Sequence, residues 1–277
     1  MPDALPLEDT FGDILKKAMR GTGAGSAQLA HATGIPAETI EQWLKDEGAA
    51  TDEQARALAA VLALDGGKLA DSAAQRWHPP PIERPDVRRH SQEPQPSNGY
   101  VFFLEQGRRA ALVDPAGLPR NLLRVLREGD YHLQYVLITH KHADHCDATA
   151  DVARAFPQAQ IVMHSLDVHA IGPLAKSALL LRDGETLPFG DDAAIRMLHT
   201  PGHTDGSSAF LFRGSLFSGD TLFAASVGGA YGDNSTYRDI LNSVRSKFFT
   251  LPDDTVVMPG HGPPSTIALE KQHNPFF

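Results

Sequence analysis

Cysteine is almost absent: Cys146 is the one thiol in 277 residues, so no disulfide can close within the chain, and a reducing compartment suits it. Long apolar runs are missing too. Nothing approaches the roughly 18 consecutive apolar residues needed to cross a bilayer, and the acidic start MPDALPLEDT lacks the basic and then apolar segments of an export signal. The expectation is a cytoplasmic protein with no membrane partner. Basic residues are outnumbered, 25 against 34 acidic ones for a net charge of -9, which argues against broad binding to nucleic acid or anionic lipid. The 42% hydrophobic and 21% charged fractions suit an ordinary globular core. The length fits one large or two unequal domains, and small-molecule chemistry gains weight.

Residues 10 to about 75 read as helices. TFGDILKKAMRG, SAQLAHATG, PAETIEQWLKD and TDEQARALAAVLALD carry apolar residues at three- and four-residue spacing between Gly or Pro breaks. Thr51 with Gln54 makes a capping box at the start of the last of these. In the third, Ile40, Trp43 and Leu44 either form the unit's own core or leave Trp43 partly exposed to a partner. Residues 78–99, HPPPIERPDVRRHSQEPQPSNG, form a Pro-rich connector with a short edge strand expected around Asp86 to Arg88. Beyond it the period changes. YVFFLEQ, RAALVD, YVLIT, AQIVMH, AAIRMLH, SSAFLFRG, SLFSGD and TVVMPGHG are strand-like, whereas PRNLLRVLREG, DATADVARAF and STYRDILNSVRSKFF are helical. We divide the chain into a helical unit (1–78), a linker (79–98) and an α+β domain (99–277). In the last, chemistry is expected at strand ends and the loops after them.

One such strand end is THKHADHC, residues 139–146. It places His140, His142, Asp144 and His145 within six positions, directly after the apolar YVLI. A lone histidine is usually a core or surface residue. Four ligand-type side chains in one turn after a rigid strand are a different matter, because imidazole nitrogens and carboxylate oxygens suit zinc, iron or manganese and need little further ordering. Further ligand types sit in loops with the same glycine punctuation: His203 in HTPGHTDGSS, Asp220 in FSGDTLF and His261 in VMPGHGPP. Cys146, next to His145, is read as a small buried residue rather than a nucleophile.

These motifs resemble the His-x-His-x-Asp-His signature and later ligands of the metallo-β-lactamase fold superfamily, over residues 82 to 277. The resemblance implies an αβ/βα sandwich with two divalent metal ions on one edge, zinc ahead of iron or manganese. It assigns His140, His142 and His203 to one ion and Asp144, His145 and His261 to the other, with Asp220 bridging and a water or hydroxide between the ions. Asp144 would orient that hydroxide and hand its proton to the leaving group. Asp114, ending the strand ALVD, matches a carboxylate that orients a ligand imidazole, against the competing reading of a turn aspartate before Pro115.

Within the superfamily, TPGHTDGS, SGDTLF, LPDDTVVMPGHGPPSTI and EKQHNPFF most resemble the glyoxalase II (hydroxyacylglutathione hydrolase) group, which implies hydrolysis of a small thioester. Gly229 stands where relatives commonly carry an Arg, and the chain stops at NPFF without their C-terminal helical extension, so glutathione is not implied as the thiol. Tyr231, Tyr237 and Lys271 are candidate substrate contacts, Lys271 alternatively being an exposed lysine that meets only water. The runner-up is persulfide dioxygenase, which shares HADH and TPGHTDG and uses one iron; a lactonase ranks third. The helical unit is similar to the helix-turn-helix of Cro/cI-type repressors, which raises a transcription regulator with a sensing domain as a distinct alternative. Residues 1–75 hold six Lys and Arg against twelve Asp and Glu, net -6, and Pro36, Ala37, Glu38 and Glu41 occupy the base-reading positions. The expectation is therefore no specific nucleic-acid partner and a protein contact instead, with the metal domain or in a homodimer.

Overall fold

The structure is a computed structural model that describes residues 5–91, 97–115, 117, 120–191, 193–231 and 236–277. Residues 92–96 of the Pro-rich connector and 232–235, ahead of the last expected long helix, fall outside it.

Five helices come first: α1 Phe11–Thr22, α2 Ser26–Thr33, α3 Ala37–Trp43, α4 Asp52–Leu62 and α5 Gly66–Ala73. Their ends are set by the local chemistry. Thr10 and Asp13 exchange hydrogen bonds in a capping box on α1, and Thr51 and Gln54 do the same on α4. Gly23 and Gly34 close α1 and α2 in the left-handed conformation. Ile14, Leu15, Leu29, Ile40, Leu58 and Leu62 are buried between the helices. Trp43 is 3% exposed, with Phe11 edge-on to it at 6.0 Å, so the idea of an exposed Trp43 is corrected: α3 is short, and its one large aromatic is needed inside a core this small.

The remainder is two six-stranded sheets packed face to face. The first runs β1 Val87–Ser91, β2 Asn98–Leu104, β3 Arg109–Val113, β4 His132–Leu137, β5 Gln160–Met163 and β6 Leu179–Leu180, in that order. It is antiparallel as far as β3 and parallel from there. Helices α6 Arg120–Glu128, α7 Ala143–Cys146 and α8 Thr149–Ala155 lie in its crossovers. The second sheet contains β7 Thr186–Pro188, β8 Ala194–His199, β9 Ser208–Phe212 and β10 Ser215–Gly219, then, beyond the small β11 Leu222–Phe223 and β12 Ser226–Val227 hairpin, β13 Val256–Pro259 and β14 Ser265–Thr266. Its order is β14-β13-β10-β9-β8-β7. Helices α9 Tyr237–Ser243 and α10 Ile267–His273 flank it. The result is a mixed α+β sandwich preceded by a helical region, and the edge strand expected near residue 87 is β1.

All of β2 is buried because each of its faces meets a different layer. Tyr100 and Phe102 point between the sheets, where Phe102 stacks on Phe212 at 4.8 Å and on Phe217 at 5.0 Å. Val101 and Phe103 point outward, into the cluster that contains Leu126 of α6 and Val152 of α8.

The helical region and the second sheet share one hydrophobic cluster, joining Ile14, Leu15 and Leu69 with Ile240, Phe248 and Phe276. Polar ties reinforce it. Lys17 pairs with Asp9 and donates to the Val227 carbonyl at 2.7 Å, and Ser226 Oγ also donates to Asp9. Lys68 Nζ donates to the Lys271 carbonyl at 2.8 Å, and Trp77 stacks on His273 at 4.5 Å. The side chains of Lys17 and Asp9 are only 9% and 7% exposed, so this pair is withdrawn from solvent and neither charge can be left alone without cost.

Candidate metal centre

Strand β4 delivers the chain to Thr139, the turn after it then presents His140 and His142, and the short α7 presents Asp144 and His145. The β8–β9 turn supplies His203, the end of β10 supplies Asp220, and the end of β13 supplies His261. All seven converge on the edge where the two sheets open.

Three sets have donor atoms within 4.8 Å of one another: His140, His142 and His203; His140, His145 and Asp220; and Asp144, His145 and His261. Nitrogen faces nitrogen in the first, with His142 Nδ1 at 3.1 Å from His140 Nε2 and 2.8 Å from His203 Nε2. In the third, His261 Nε2 lies 3.4 Å from His145 Nε2 and 3.4 Å from Asp144 Oδ2. Asp220 stands between the sets, its Oδ2 at 3.5 Å from both His203 and His261 and its Oδ1 at 3.4 Å from His145.

This donor set fits cations. Asp220 Oδ1 is buried and accepts no hydrogen bond among the described residues, a costly arrangement unless positive charge is nearby. Burial alone would raise the Asp220 pKa, yet His145 and His261 hold the carboxyl well below its usual range. Burial pushes His140 well down and His203 down to about 4, keeping both neutral and able to donate lone pairs. Burial also works against a charged His261, but Asp220 and Asp144 outweigh it and push the imidazole up. A proton and a metal ion compete for that place.

The supports are specific. Asp114 takes φ 51 at the end of β3, where Oδ1 accepts from Thr139 N at 2.8 Å and Oδ2 from Thr139 Oγ1 at 2.8 Å. The same Oδ2 lies 3.0 Å from His145 Nδ1, leaving Nε2 for the centre. His203 Nδ1 donates to the Gly229 carbonyl at 2.6 Å. Asp167, fully buried, accepts from Lys141 N, Thr204 Oγ1 and Gly206 N, so it ties the first ligand turn to the His203 turn. Sequence reading missed it, because SLDVHA carries no recognisable pattern. A Cβ on Gly260 would sit 2.2 Å from Asp220 Oδ1 and 2.7 Å from His145 Cε1, which requires glycine here.

The centre opens into a cavity of about 170 Å³ with His203, Asp220 and His261 at its base and Glu8, Lys16 and Tyr231 among its walls. Tyr231, a candidate substrate contact, is there and 60% exposed. The other two candidates, Tyr237 and Lys271, do not line this cavity. Tyr237 packs on Phe276 at 5.9 Å, under the glycine at position 21 of α1, and burial pushes its hydroxyl up to about 12. Lys271 pairs with Asp253 at 2.7 Å and lies over the Phe249 ring, outside the lining of the cavity. Tyr237 is taken up by the packing of α9, whereas Lys271 is on the exposed face of α10. Burial pushes the Cys146 thiol up to about 12, consistent with an inert side chain.

A cluster of imidazoles and carboxylates at the open edge of a two-sheet sandwich defines a metal-dependent enzyme class, and its members are mostly hydrolases. Residues 94–261 match the metallo-beta-lactamase superfamily, and the chain belongs to it. Hydroxyacylglutathione hydrolase GloC of Haemophilus influenzae is 30% identical over 192 residues, covering 63% of this chain and 90% of that one. The crystal structure of ETHE1 from Myxococcus xanthus aligns with TM-score 0.61 and 31% identity, over 68% of this chain and 83% of that one. A protein described as TTHA1623 in a di-iron-bound form aligns with TM-score 0.59 and 29% identity, over 69% of this chain and all of that one. No helix among the described residues is long and apolar enough to cross a membrane.

Proposed function

We propose that the protein is a thioester hydrolase of the hydroxyacylglutathione hydrolase type. The observation that carries this reading is the second donor set, Asp144, His145 and His261, lying beside His140, His142 and His203 with Asp220 between them. Together these residues would hold two divalent cations. When bound, such a pair supplies Lewis acidity for a carbonyl oxygen and makes water acidic enough to serve as a nucleophile near neutral pH. The similarity to GloC supports a thioester as the substrate, and the likeness to a di-iron protein supports a two-ion centre without fixing zinc as the element.

The chain's own residues fit that chemistry. Asp144 is partly exposed beside His261, and its contact with that imidazole holds the carboxyl below its usual range, so it is an anion that can orient a water and take its proton. A thiol leaving group has a pKa of about 8.5 and departs readily as thiolate, so a strong acid is not required. The glycine loops and the strand ends keep these groups fixed before substrate arrives. Metal analysis of the purified protein, paired with hydrolysis of S-lactoylglutathione and of simpler thioesters, tests the proposal. Two ions per chain and chelator-sensitive turnover are expected; metal-replete protein that leaves every thioester intact defeats it.

The likeness to ETHE1 favours persulfide dioxygenase chemistry as the second reading. Oxygen consumption with glutathione persulfide, in the absence of thioester turnover, would establish it. The helical region carries net charge -6 over residues 1–75, and its α1 and α5 are engaged with the metal domain. We therefore infer a part in the active site and no sequence-selective DNA binding. Nanomolar, sequence-selective binding to a genomic fragment at physiological salt would reverse that inference.

A further inference from the structure

Helix α1 stands against the mouth of the metal cavity, where Asp13, Lys16 and Lys17 line it together with Glu8 and Asp9 of the segment before the helix, so its cations there sit among carboxylates. Lys16 and Arg20 are one turn apart, which puts them on the same side of the helix. Lys16 lines the cavity together with Tyr231. Arg20 lies over the Tyr231 ring with its guanidinium carbon 4.5 Å from the centroid, and it donates to the Ala230 carbonyl at 3.3 Å. The space is shaped for this arrangement. A Cβ on Gly229 would sit 1.9 Å from Tyr231 Cε2, so the tyrosine ring fills the volume that a side chain at 229 would need. A cation cannot project from position 229 while the ring is there, and the cations at the mouth come instead from α1.

The two side chains are also available. Arg20 makes no ion pair among the described residues; its partners are a carbonyl and an aromatic face. Lys16 pairs with Asp13 at 2.8 Å, but both side chains are solvated, at 47% and 33% exposure, and an exposed pair of this kind contributes little. An incoming anion can replace Asp13 as its partner. Lys17, next in the chain, is not available: it is held by Asp9 and the Val227 carbonyl and fixes α1 in place.

We propose that Lys16 and Arg20 are specificity-determining residues that receive an anionic group of the substrate, so that the helical region completes the active site and the preferred substrate is a thioester carrying a carboxylate or phosphate a few bonds from the reacting carbonyl. This rests on the thioester reading above, but its test does not depend on turnover alone. In the metal-replete full-length protein, kcat/KM is measured for S-lactoylglutathione, which is anionic, and for S-acetyl-N-acetylcysteamine, which is neutral. The ratio of the two should fall about tenfold in Lys16→Ala with Arg20→Ala, as expected for loss of charge-assisted hydrogen bonds, and Lys16→Arg with Arg20→Lys should restore most of it. Separately, calorimetric binding of S-methylglutathione should weaken about tenfold in the alanine pair. If wild-type protein hydrolyses neither thioester, the function proposed above fails, and the binding measurement alone decides this inference. A substrate ratio unchanged by the alanine pair, or S-methylglutathione that binds both proteins equally or neither, overturns it.

Discussion

Asp114 Oδ2 lies 3.0 Å from His145 Nδ1, a contact between residues 31 positions apart that joins the end of β3 to α7. The same oxygen accepts from Thr139 Oγ1, and Thr139 Oγ1 is in turn 3.0 Å from His140 Nδ1. One carboxylate therefore sets the ring orientation of a ligand in each donor set. Replacing it with Asn keeps the left-handed backbone acceptable but puts an amide donor near a ring N–H. Asp114→Asn should reduce metal affinity and kcat/KM roughly 10- to 100-fold, checked by competition with a chromophoric chelator and by thioester assays; wild-type metal affinity would show that the contact is incidental.

Asp220 faces both sets, so its loss should exceed that of any single histidine. Asp220→Ala is expected to take metal content from two ions per chain toward none, whereas His142→Ala should leave about one. Elemental analysis of the two variants side by side decides the matter. Equal occupancy in both would remove the case for a bridge.

Gly260 offers a test from the opposite direction, by adding one carbon. Its new Cβ would meet Asp220 Oδ1 at 2.2 Å and His145 Cε1 at 2.7 Å, so Gly260→Ala should displace the carboxylate and cost most of the activity. The change lies at the sandwich edge, so far-ultraviolet circular dichroism should keep its wild-type shape. Full metal content and activity in this variant would contradict the described geometry.

Glu270 gives a pH dependence with a defined sign. Its carboxyl is fully buried, with Oε2 accepting from Ala225 N at 3.0 Å and from Asn274 Nδ2 at 2.8 Å, and burial raises its pKa from 4.5 to about 7. Between those values the folded state holds a proton that the unfolded state has released. Stability from this group is therefore complete below about pH 4.5 and is lost as pH rises to 7, by roughly 3 kcal/mol in all. Glu270→Gln stays neutral, so its melting temperature should fall several degrees less than that of wild type between pH 5 and pH 8. Parallel curves for the two proteins would show that the carboxyl titrates normally.

The candidate metal ligands are legible in the sequence because each sits in a local context that announces it: an apolar strand, a glycine-bearing turn, a short-range cluster. The capping boxes at Thr10 and Thr51 are equally local, and the Thr51–Gln54 pattern is visible in the sequence alone. What escaped was tertiary. Asp167 acts through partners at 141, 204 and 206 that only the fold brings near. Lys16 and Arg20 look like any solvated helix face until Tyr231 is placed against them. Tyr237 and Lys271 carry plausible chemistry for a binding role, but only the fold shows that α9 and α10 do not line the cavity. The seven residues of β2, NGYVFFL, show no alternation because both faces are covered, so their strand character is visible in the sequence and their two-sided burial is not.

The grip of Lys17 on the Val227 carbonyl spans 210 residues, and it bears on the order in which the molecule comes together. Contacts inside the five leading helices are short-range and can form while the rest of the chain is still being synthesised. The cavity wall made by Glu8 and Lys16, by contrast, has nothing to close upon until the strand that carries His261 has emerged. The candidate donor set is complete only once residue 261 has emerged, so a nascent chain finishes its metal centre long after the five leading helices have been synthesised. Ribosome-bound chains stalled with only residues 1–250 exposed should already resist protease in the helical region, and should still bind metal weakly by competition with a chelator.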